Sequence, residues 1–214
     1  MARARAAVDA AYARRHGTRG DRPAETGLRA AVASAALAGS RYDLAEVRAG
    51  TVTDPVLQGA LRCAREIPAL VERWRRSPRQ VLARLHLLAA RGTVPPAQLG
   101  RPLRRAVDRL DLLLAVIGRA APGLVRAAVV HGELLALAAF PGPYGVVARG
   151  AARLELVAGG FDPHGLLVIE EEHLAREPEY IGAAGAFATG TPDGVRAWLR
   201  HCAAAAETAA RDLP

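Results

Sequence analysis

Alanine is the most abundant residue of this 214-residue chain and occurs along almost its whole length. It is the best helix former, and its small side chain lets neighbouring helices approach closely. The β-branched clusters that strands need are short, the clearest being residues 51–53 and 166–169. The sequence therefore predicts an all-α fold.

Length and boundary signals predict how the helices are arranged. A chain of 214 residues can form one domain that buries about 70% of its unfolded surface. We expect a basic N-terminal helix and loop over residues 1–24, followed by a helical domain over residues 25–214. Gly39 is a predicted helix stop, Asp54–Pro55 and Thr191–Pro192 are predicted helix starts, and Ser77–Gln80 reads as a capping box. Pro68 is expected to break or kink its helix.

All of the positive charge comes from arginine, because the sequence contains no lysine. The net charge of +8 is compatible with phosphate-bearing partners, including nucleic acid, although a solvated arginine-rich surface is the favoured interpretation. The segment Arg73–Arg79 could contact nucleic acid through its arginines and Trp74. It equally suits a helix end with Trp74 packed inward, which we favour.

Cysteine usage and hydropathy favour a cytoplasmic location. Cys63 and Cys202 are far apart and lack metal-ligand spacing, so we expect two buried, reduced thiols. The beginning of the chain has no apolar stretch typical of a signal peptide. The most apolar region, residues 110–147, is interrupted by charges, so we expect no membrane span.

A tight loop between two apolar helices is the most unusual local feature. Residues 124–139 form the most apolar predicted helix and the expected centre of the fold, and a second helix is predicted over residues 146–159. Between them, residues 141–145 read Pro-Gly-Pro-Tyr-Gly and cannot continue a helix. Such a loop can hold functional groups in the middle of a core.

The segment 138–149 resembles the motif of the Fic/Doc family, H-P-F-x-[DE]-G-N-G-R-x-x-R, with most of its polar residues replaced. Phe140, Gly145 and Arg149 match the motif phenylalanine, second glycine and final arginine. His131 lies seven residues before the motif, where many family members have a histidine. The replaced positions are Ala138 for the catalytic histidine, Gly142 for the metal-binding acid, Pro143 for the first glycine, Tyr144 for the asparagine and Val146 for the first arginine.

A second segment resembles the inhibitory helix of the same family, [ST]-x-x-x-E-[GN]. Residues 34–39 fit this pattern, with Ser34 and Gly39 retained and Ala38 in place of the glutamate. The resemblance covers roughly residues 25–208 and is strongest to a degenerate, alanine-rich subgroup of the kind seen in actinobacteria. It implies a Fic-like helical bundle around a central buried helix and the motif loop, with a degenerate inhibitory helix at residues 25–39.

The resemblance implies that the family reaction, transfer of AMP to a hydroxyl group, has been lost. Ala138, Gly142 and Val146 cannot act as base, metal ligand or phosphate-binding arginine, so we expect no metal and no cofactor. Arg149 also loses its inhibitory glutamate. Deleting the counter-charge of a buried arginine costs about 3–5 kcal/mol, so Arg149 must find another acid, water or an anion. A remnant phosphate site at Gly145 and Arg149 and a structural pairing with a nearby glutamate both stay open.

The remaining polar candidates have mainly structural interpretations. His131 and Glu133 are two residues apart on a helix and face different directions, so we expect His131 to make a buried hydrogen bond. Residues 170–173 read Glu-Glu-Glu-His, but consecutive residues fan around a helix, so a solvated first turn is favoured over a metal cluster.

Three functions remain as hypotheses. The leading one is a Fic-fold protein that binds a protein partner or an anionic, phosphate-containing small molecule through Phe140, Gly142, Tyr144, Gly145 and Arg149. The second is a retooled enzyme that uses Tyr144, His131 and Arg149 in the same cleft. The third is a nucleic-acid-binding helical module that uses the basic N-terminus and residues 73–79. A homo-oligomer is compatible with each of them.

Overall fold

The computed structural model describes residues 1–14, 22–117 and 120–213, and this part of the chain contains eleven α-helices and no strand. One isolated bridge joins Arg91 and Val94, and 3-10 turns occupy Pro96–Gln98 and Arg104–Ala106. The helices are α1 (Ala2–Arg14), α2 (Arg22–Ala36), α3 (Leu44–Arg48), α4 (Pro55–Arg76), α5 (Pro78–Ala90), α6 (Val107–Val116), α7 (Gly123–Leu137), α8 (Tyr144–Ala158), α9 (Ile169–Ala175), α10 (Glu177–Ala188) and α11 (Pro192–Arg211). The all-α prediction is confirmed.

Local signals set most helix ends as the sequence predicts. Asp54 caps α4 by accepting bonds from the N–H groups of Val56 and Leu57, and Thr191 caps α11 by accepting from Gly194. Gly39 ends the turn after α2 with a φ of 93°, which glycine adopts without strain. The sequence also predicts a helix stop at Gly118, which lies outside the described residues.

Two local predictions fail in part: Pro68 does not break its helix, and α5 begins after Ser77 as expected but without the predicted capping bond. The helix α4 runs through Pro68 to Arg76 because Ile67, Leu70 and Trp74, on either side of the proline, are buried in the main core. The burial of these residues offsets the cost of a proline in a helix interior, about 3 kcal/mol. Ser77 separates α4 from α5, but its side chain makes no capping hydrogen bond.

The pair α7 and α8 forms the centre of the molecule, with α4, α5 and α2 on one side and α10 and α11 on the other. Every residue of α8 from Val146 to Leu156 is buried, so the central helix is α8, and the expectation that residues 124–139 occupy this place needs correction. Gly150, Ala148 and Ala151 explain the difference, because small side chains let α4 and α5 approach α8 closely.

A smaller core joins α1 to α11. Ala4, Val8 and Ala11 of α1 pack with a group of buried apolar residues that includes Ala205 and Ala209 of α11. Both cysteines are buried thiols, as predicted. Within the described residues, no helix is long and apolar enough to cross a membrane.

Candidate functional site

The loop between α7 and α8 begins with a sharp change of backbone direction at Ala138. This residue ends α7 in the left-handed conformation, with a φ of 39°, which costs a residue with a β-carbon about 1–2 kcal/mol. Two residues later, Phe140 is buried and stacks on the ring of His86, with ring centroids 4.8 Å apart. The loop is therefore anchored in the main core.

His86 of α5 holds the loop in place through both ring nitrogens. Its Nδ1 accepts the N–H of Gly100 at 2.9 Å, which leaves the proton on Nε2 to bond with the carbonyl of Pro141 at 2.9 Å. Burial lowers the pKa of His86, so the neutral ring that these two bonds need is favoured. His86 is not among the residues predicted for the site, because nothing in its local sequence marks it as a partner of a loop 55 residues away.

The turn after α5 covers Gly142. A β-carbon at position 142 would lie 2.8 Å from Cγ1 of Val94 and 3.2 Å from Oγ1 of Thr93, and the φ of Gly142 is +74°. Both facts require glycine here. A larger side chain, including an acidic one, would have to displace this turn.

The helix α8 starts with one exposed side chain and one close approach. Tyr144 is 41% exposed, and its side chain makes no hydrogen bond to the loop within the described residues. A β-carbon at Gly145 would lie 3.2 Å from both terminal nitrogens of Arg149. Glycine at this position therefore leaves room for the guanidinium to fold back over the first turn of α8.

Arg149 is only 3% exposed and is held by neutral oxygens. Its Nε donates to the hydroxyl of Ser34 at 2.8 Å, and its Nη2 donates to the carbonyl of the same residue at 2.7 Å. Its Nη1 donates to the hydroxyl of Tyr180 at 3.2 Å. In the described part of the chain it has no ion pair, so the predicted alternative of a nearby glutamate does not describe this arginine.

Tyr180 connects Arg149 to His131. Burial, and then the charge of Arg149, lowers the pKa of His131 well below its ordinary 6.5, so the ring is neutral. Its Nε2 can then accept the hydroxyl proton of Tyr180 at 2.9 Å. The prediction that His131 makes a buried hydrogen bond is confirmed, and Glu133 faces the other way, towards Arg109.

Residues 170–173 are not a solvated turn, and that prediction is wrong at its two ends. Glu170 and His173 are buried, Glu170 as the ion-pair partner of Arg153 at 3.1 Å and His173 in a stack with Tyr180 and His201. The reason is the packing of α9 against α2 and α11, which covers one face of its first turn. No group of three or more His, Cys, Asp or Glu side chains in the described ranges could hold a metal ion.

The segment 34–39 reaches the loop region through its first residue. Ser34 lies at the end of α2 and contacts Arg149, whereas Ala38 is exposed in the turn that closes the helix. The structure thus brings together Ser34, Gly145, Arg149, Tyr180 and His131. Phe140 and Gly142 lie at the other end of the loop, against α5 and the turn after it.

Comparison with solved structures identifies this arrangement of helices. A Fic family protein from Desulfovibrio desulfuricans G20 superposes with a TM-score of 0.75 over 97% of this chain and 71% of its own, at 20% identity. Residues 134–508 of Fic-1 from C. elegans superpose with a TM-score of 0.78 over 99% of this chain and 70% of that one, at 17% identity. This chain has a Fic-like fold. No family model and no curated protein matches its sequence.

Because the fold is Fic-like, the residues of the loop can be compared with the positions of the family motif. In the alignment with the family motif, Ala138 is the left-handed residue that ends α7, Gly142 is the residue under Val94, and Val146 is buried in the core. The matched motif positions that keep their residue type at the start of α8 are Gly145 and Arg149.

Proposed function

We propose that this Fic-like protein does not transfer AMP and acts by binding an anionic, phosphate-containing ligand, alone or as part of a protein partner, at the start of α8. The loss of transfer follows from three positions. Ala138 cannot serve as a general base, whose removal typically costs about 10²–10⁴ in rate. Gly142 and Val146 cannot hold Mg²⁺ or a phosphate group.

The packing of the loop also leaves little space for the motif acid at position 142. Restoring an acid at position 142 would place its β-carbon 2.8 Å from Val94. The turn at residues 91–94 therefore occupies space that an acidic side chain would need. A single substitution would not rebuild the metal site.

Arg149 is the observation that carries the binding role. Its charge is buried, and its hydrogen-bond acceptors are the neutral oxygens of Ser34 and Tyr180. The start of α8 lies one turn ahead and has no side-chain cap, while the N–H groups of Tyr144 and Val146 donate to the carbonyls of Gly142 and Pro143. Helix N-termini attract anions, and a guanidinium can hold a phosphate through two parallel bonds.

Ser34 sits where it would compete with such a ligand. It gives Arg149 two of its three acceptors, both from α2. An entering phosphate would replace neutral oxygens by charged ones, which make stronger hydrogen bonds. Binding is therefore expected to shift the end of α2 away from Arg149.

The two other hypotheses gain less from the geometry. His131 is buried and hydrogen-bonded to Tyr180, so it is not accessible to a substrate. Of the residues proposed for a retooled enzyme, this leaves Tyr144 as the exposed one. Trp74 is fully buried and donates to Glu155 at 2.7 Å, which removes the stacking surface of the segment 73–79. Binding at the start of α8 is the function we favour.

A screen of thermal stability over nucleotides and phosphorylated metabolites tests the proposal, because a ligand at about 100 times its Kd adds about 2.7 kcal/mol. Arg149→Ala should then weaken the ligand by about 1.5–3 kcal/mol, and Arg149→Lys should recover only part of this. Arg196→Ala, at an exposed pair with Asp193, is the matched control and should bind normally. Equal affinity in all variants would contradict the proposal.

The loss of transfer has its own test. Incubation with radioactive ATP and Mg²⁺ or Mn²⁺ should label neither this protein nor candidate targets. Labelling that disappears when the loop is mutated would refute the loss of transfer and leave the binding experiment unaffected.

A further inference from the structure

A narrow crevice runs between α7, α8, α9 and α11, away from the loop. Its volume is about 30 Å³. Along α8 it extends from Arg149 past Ala152 and Arg153 to Leu156, and its α7 wall runs from His131 back to Leu124. Glu170 and His173 of α9 and Cys202 of α11 close the other side.

The walls of the crevice carry one more positive charge than negative. Arg153 and Glu170 neutralise each other across 3.1 Å. His131 and His173 are neutral, because burial and neighbouring positive groups lower the pKa of each well below 6.5. The charge of Arg149 is the one that remains without an opposite charge among the described residues.

Arg149 has donors to spare. A guanidinium has five N–H bonds, and the described contacts use three of them, all towards neutral oxygens. Burying a charge without a counter-charge costs several kcal/mol even after the surroundings relax. An anion beside Arg149 would remove much of this cost.

The size and lining of the crevice limit which anion can enter. A water molecule needs about 10–15 Å³ of such volume, so the crevice holds at most two or three particles of that size. A phosphate ester is too large. Most lining residues are Leu, Ile and Ala, and such walls favour an anion that loses its hydration shell easily.

We propose that this crevice is a binding site for a single halide ion, with Arg149 as its main counter-charge. The site shares Arg149 with the proposed function. It needs neither a phosphate-bearing ligand nor the loop, because its walls lie on the far side of Arg149 from residues 138–143.

Halide binding should be linked to protonation of the neighbouring histidines. A negative ion favours the charged form of His131 and His173, so lower pH should strengthen binding. The helices packed around His131 and His173 also contribute titratable or charged groups near these two rings. They are Arg149 and Arg153 on α8, Glu170 on α9, Arg176 between α9 and α10, Tyr180 and Glu179 on α10, and His201 and Cys202 on α11.

Thermal unfolding of the full chain in sodium bromide, chloride or gluconate at equal ionic strength tests the proposal. Bromide should raise the Tm by about 2–4 °C over gluconate, chloride should raise it less, and both effects should be larger at pH 6 than at pH 8. Identical Tm values in the three salts would overturn the proposal.

Ala152→Val fills the crevice and changes no charge. It should abolish the difference between bromide and gluconate, whereas Ala158→Val, on the same helix outside the crevice, should retain it. A bromide effect that persists in Ala152→Val would place the ion elsewhere and refute the site. Crystals of the unmodified chain grown in bromide give a second measurement that does not depend on the variant folding. Anomalous signal should lie beside Arg149 in the crevice, and signal confined to the surface would contradict the proposal.

The two proposals fail separately. A halide effect with no response to phosphorylated compounds supports the crevice site and defeats the proposed function. The opposite outcome is binding of a phosphate-bearing ligand that is lost in Arg149→Ala, with equal Tm values in the three sodium salts. That outcome supports the proposed function and defeats the crevice site.

Discussion

Arg149 and Arg153 lie one turn apart on the same helix and are both almost fully buried, yet their charges have different partners. Arg153 meets the carboxylate of Glu170 and also donates to the carbonyls of Leu167 and Gly165. Arg149 meets a serine and a tyrosine. Equal burial therefore does not mean equal roles. The charge of Arg153 is neutralised by Glu170, and the charge of Arg149 meets only neutral oxygens among the described residues.

The largest expected effect comes from making Arg153 resemble Arg149. Glu170→Ala leaves Arg153 buried without its counter-charge, so the free energy of unfolding should fall by about 3–5 kcal/mol. Denaturant unfolding measures this change. Glu171→Ala, in a half-exposed pair with Arg29, is the control and should cost at most about 1 kcal/mol. Similar losses in both variants would mean that burial does not distinguish the two pairs.

A second effect depends on pH and reports the uncompensated charge of Arg149. Burial first, and positive neighbours including Arg149 next, lower the pKa of His131 and His173 well below 6.5. Below pH 6.5 these two histidines therefore bind protons more readily in the unfolded chain than in the folded chain, as do His86 and His201, whose pKa values burial also lowers. Stability falls as the pH falls. The slope should be about 1.4 kcal/mol per histidine for each pH unit until the folded-state pKa is reached.

Unfolding at several pH values between 6.5 and 5.5 checks this slope, because most carboxylates stay ionised in that window. His173→Phe keeps a ring in the stack and removes one of the four histidines whose pKa is lowered, so it should reduce the slope by about a quarter to a third. An unchanged slope would show that these histidines do not control stability.

The smallest effects come from the neutral partners of Arg149. Ser34→Ala removes the hydroxyl that accepts from Nε and leaves the carbonyl bond, so we expect a loss of about 1.5–3 kcal/mol. Tyr180→Phe removes the longer bond at 3.2 Å and the contact with His131, and should cost towards the lower end of that range. Chemical unfolding of both variants measures the order. A greater loss in Tyr180→Phe would make Tyr180, and not Ser34, the main support of Arg149.

The sequence predicted much of the fold and one local contact of the candidate site. Gly145 and Arg149 lie one helical turn apart, so their contact follows from the local helix. Phe140, which matches the motif phenylalanine, is buried. The parts that could not be predicted are contacts between elements far apart in the chain, such as Ser34 with Arg149 and His86 with Pro141.

Two errors have the same origin. Residues 170–173 have the composition of a solvated helix start, and Pro68 has the local energetics of a helix break. Both expectations counted only neighbours in sequence. The packing of α9 against α2 and α11, and of α4 against α2, α5 and α8, supplied burial that local patterns do not contain.

The sequence by itself determined the helical class, the caps at Asp54 and Thr191, and the loop that must separate α7 from α8. These features depend on backbone preferences and on bonds within a few residues, which any segment carries with it. Only the tertiary structure decided that Glu170 neutralises Arg153 and that no carboxylate reaches Arg149 within the described residues. That choice depends on which faces of α2, α9 and α10 meet α8, because a buried charge responds to whatever packing places within hydrogen-bonding distance.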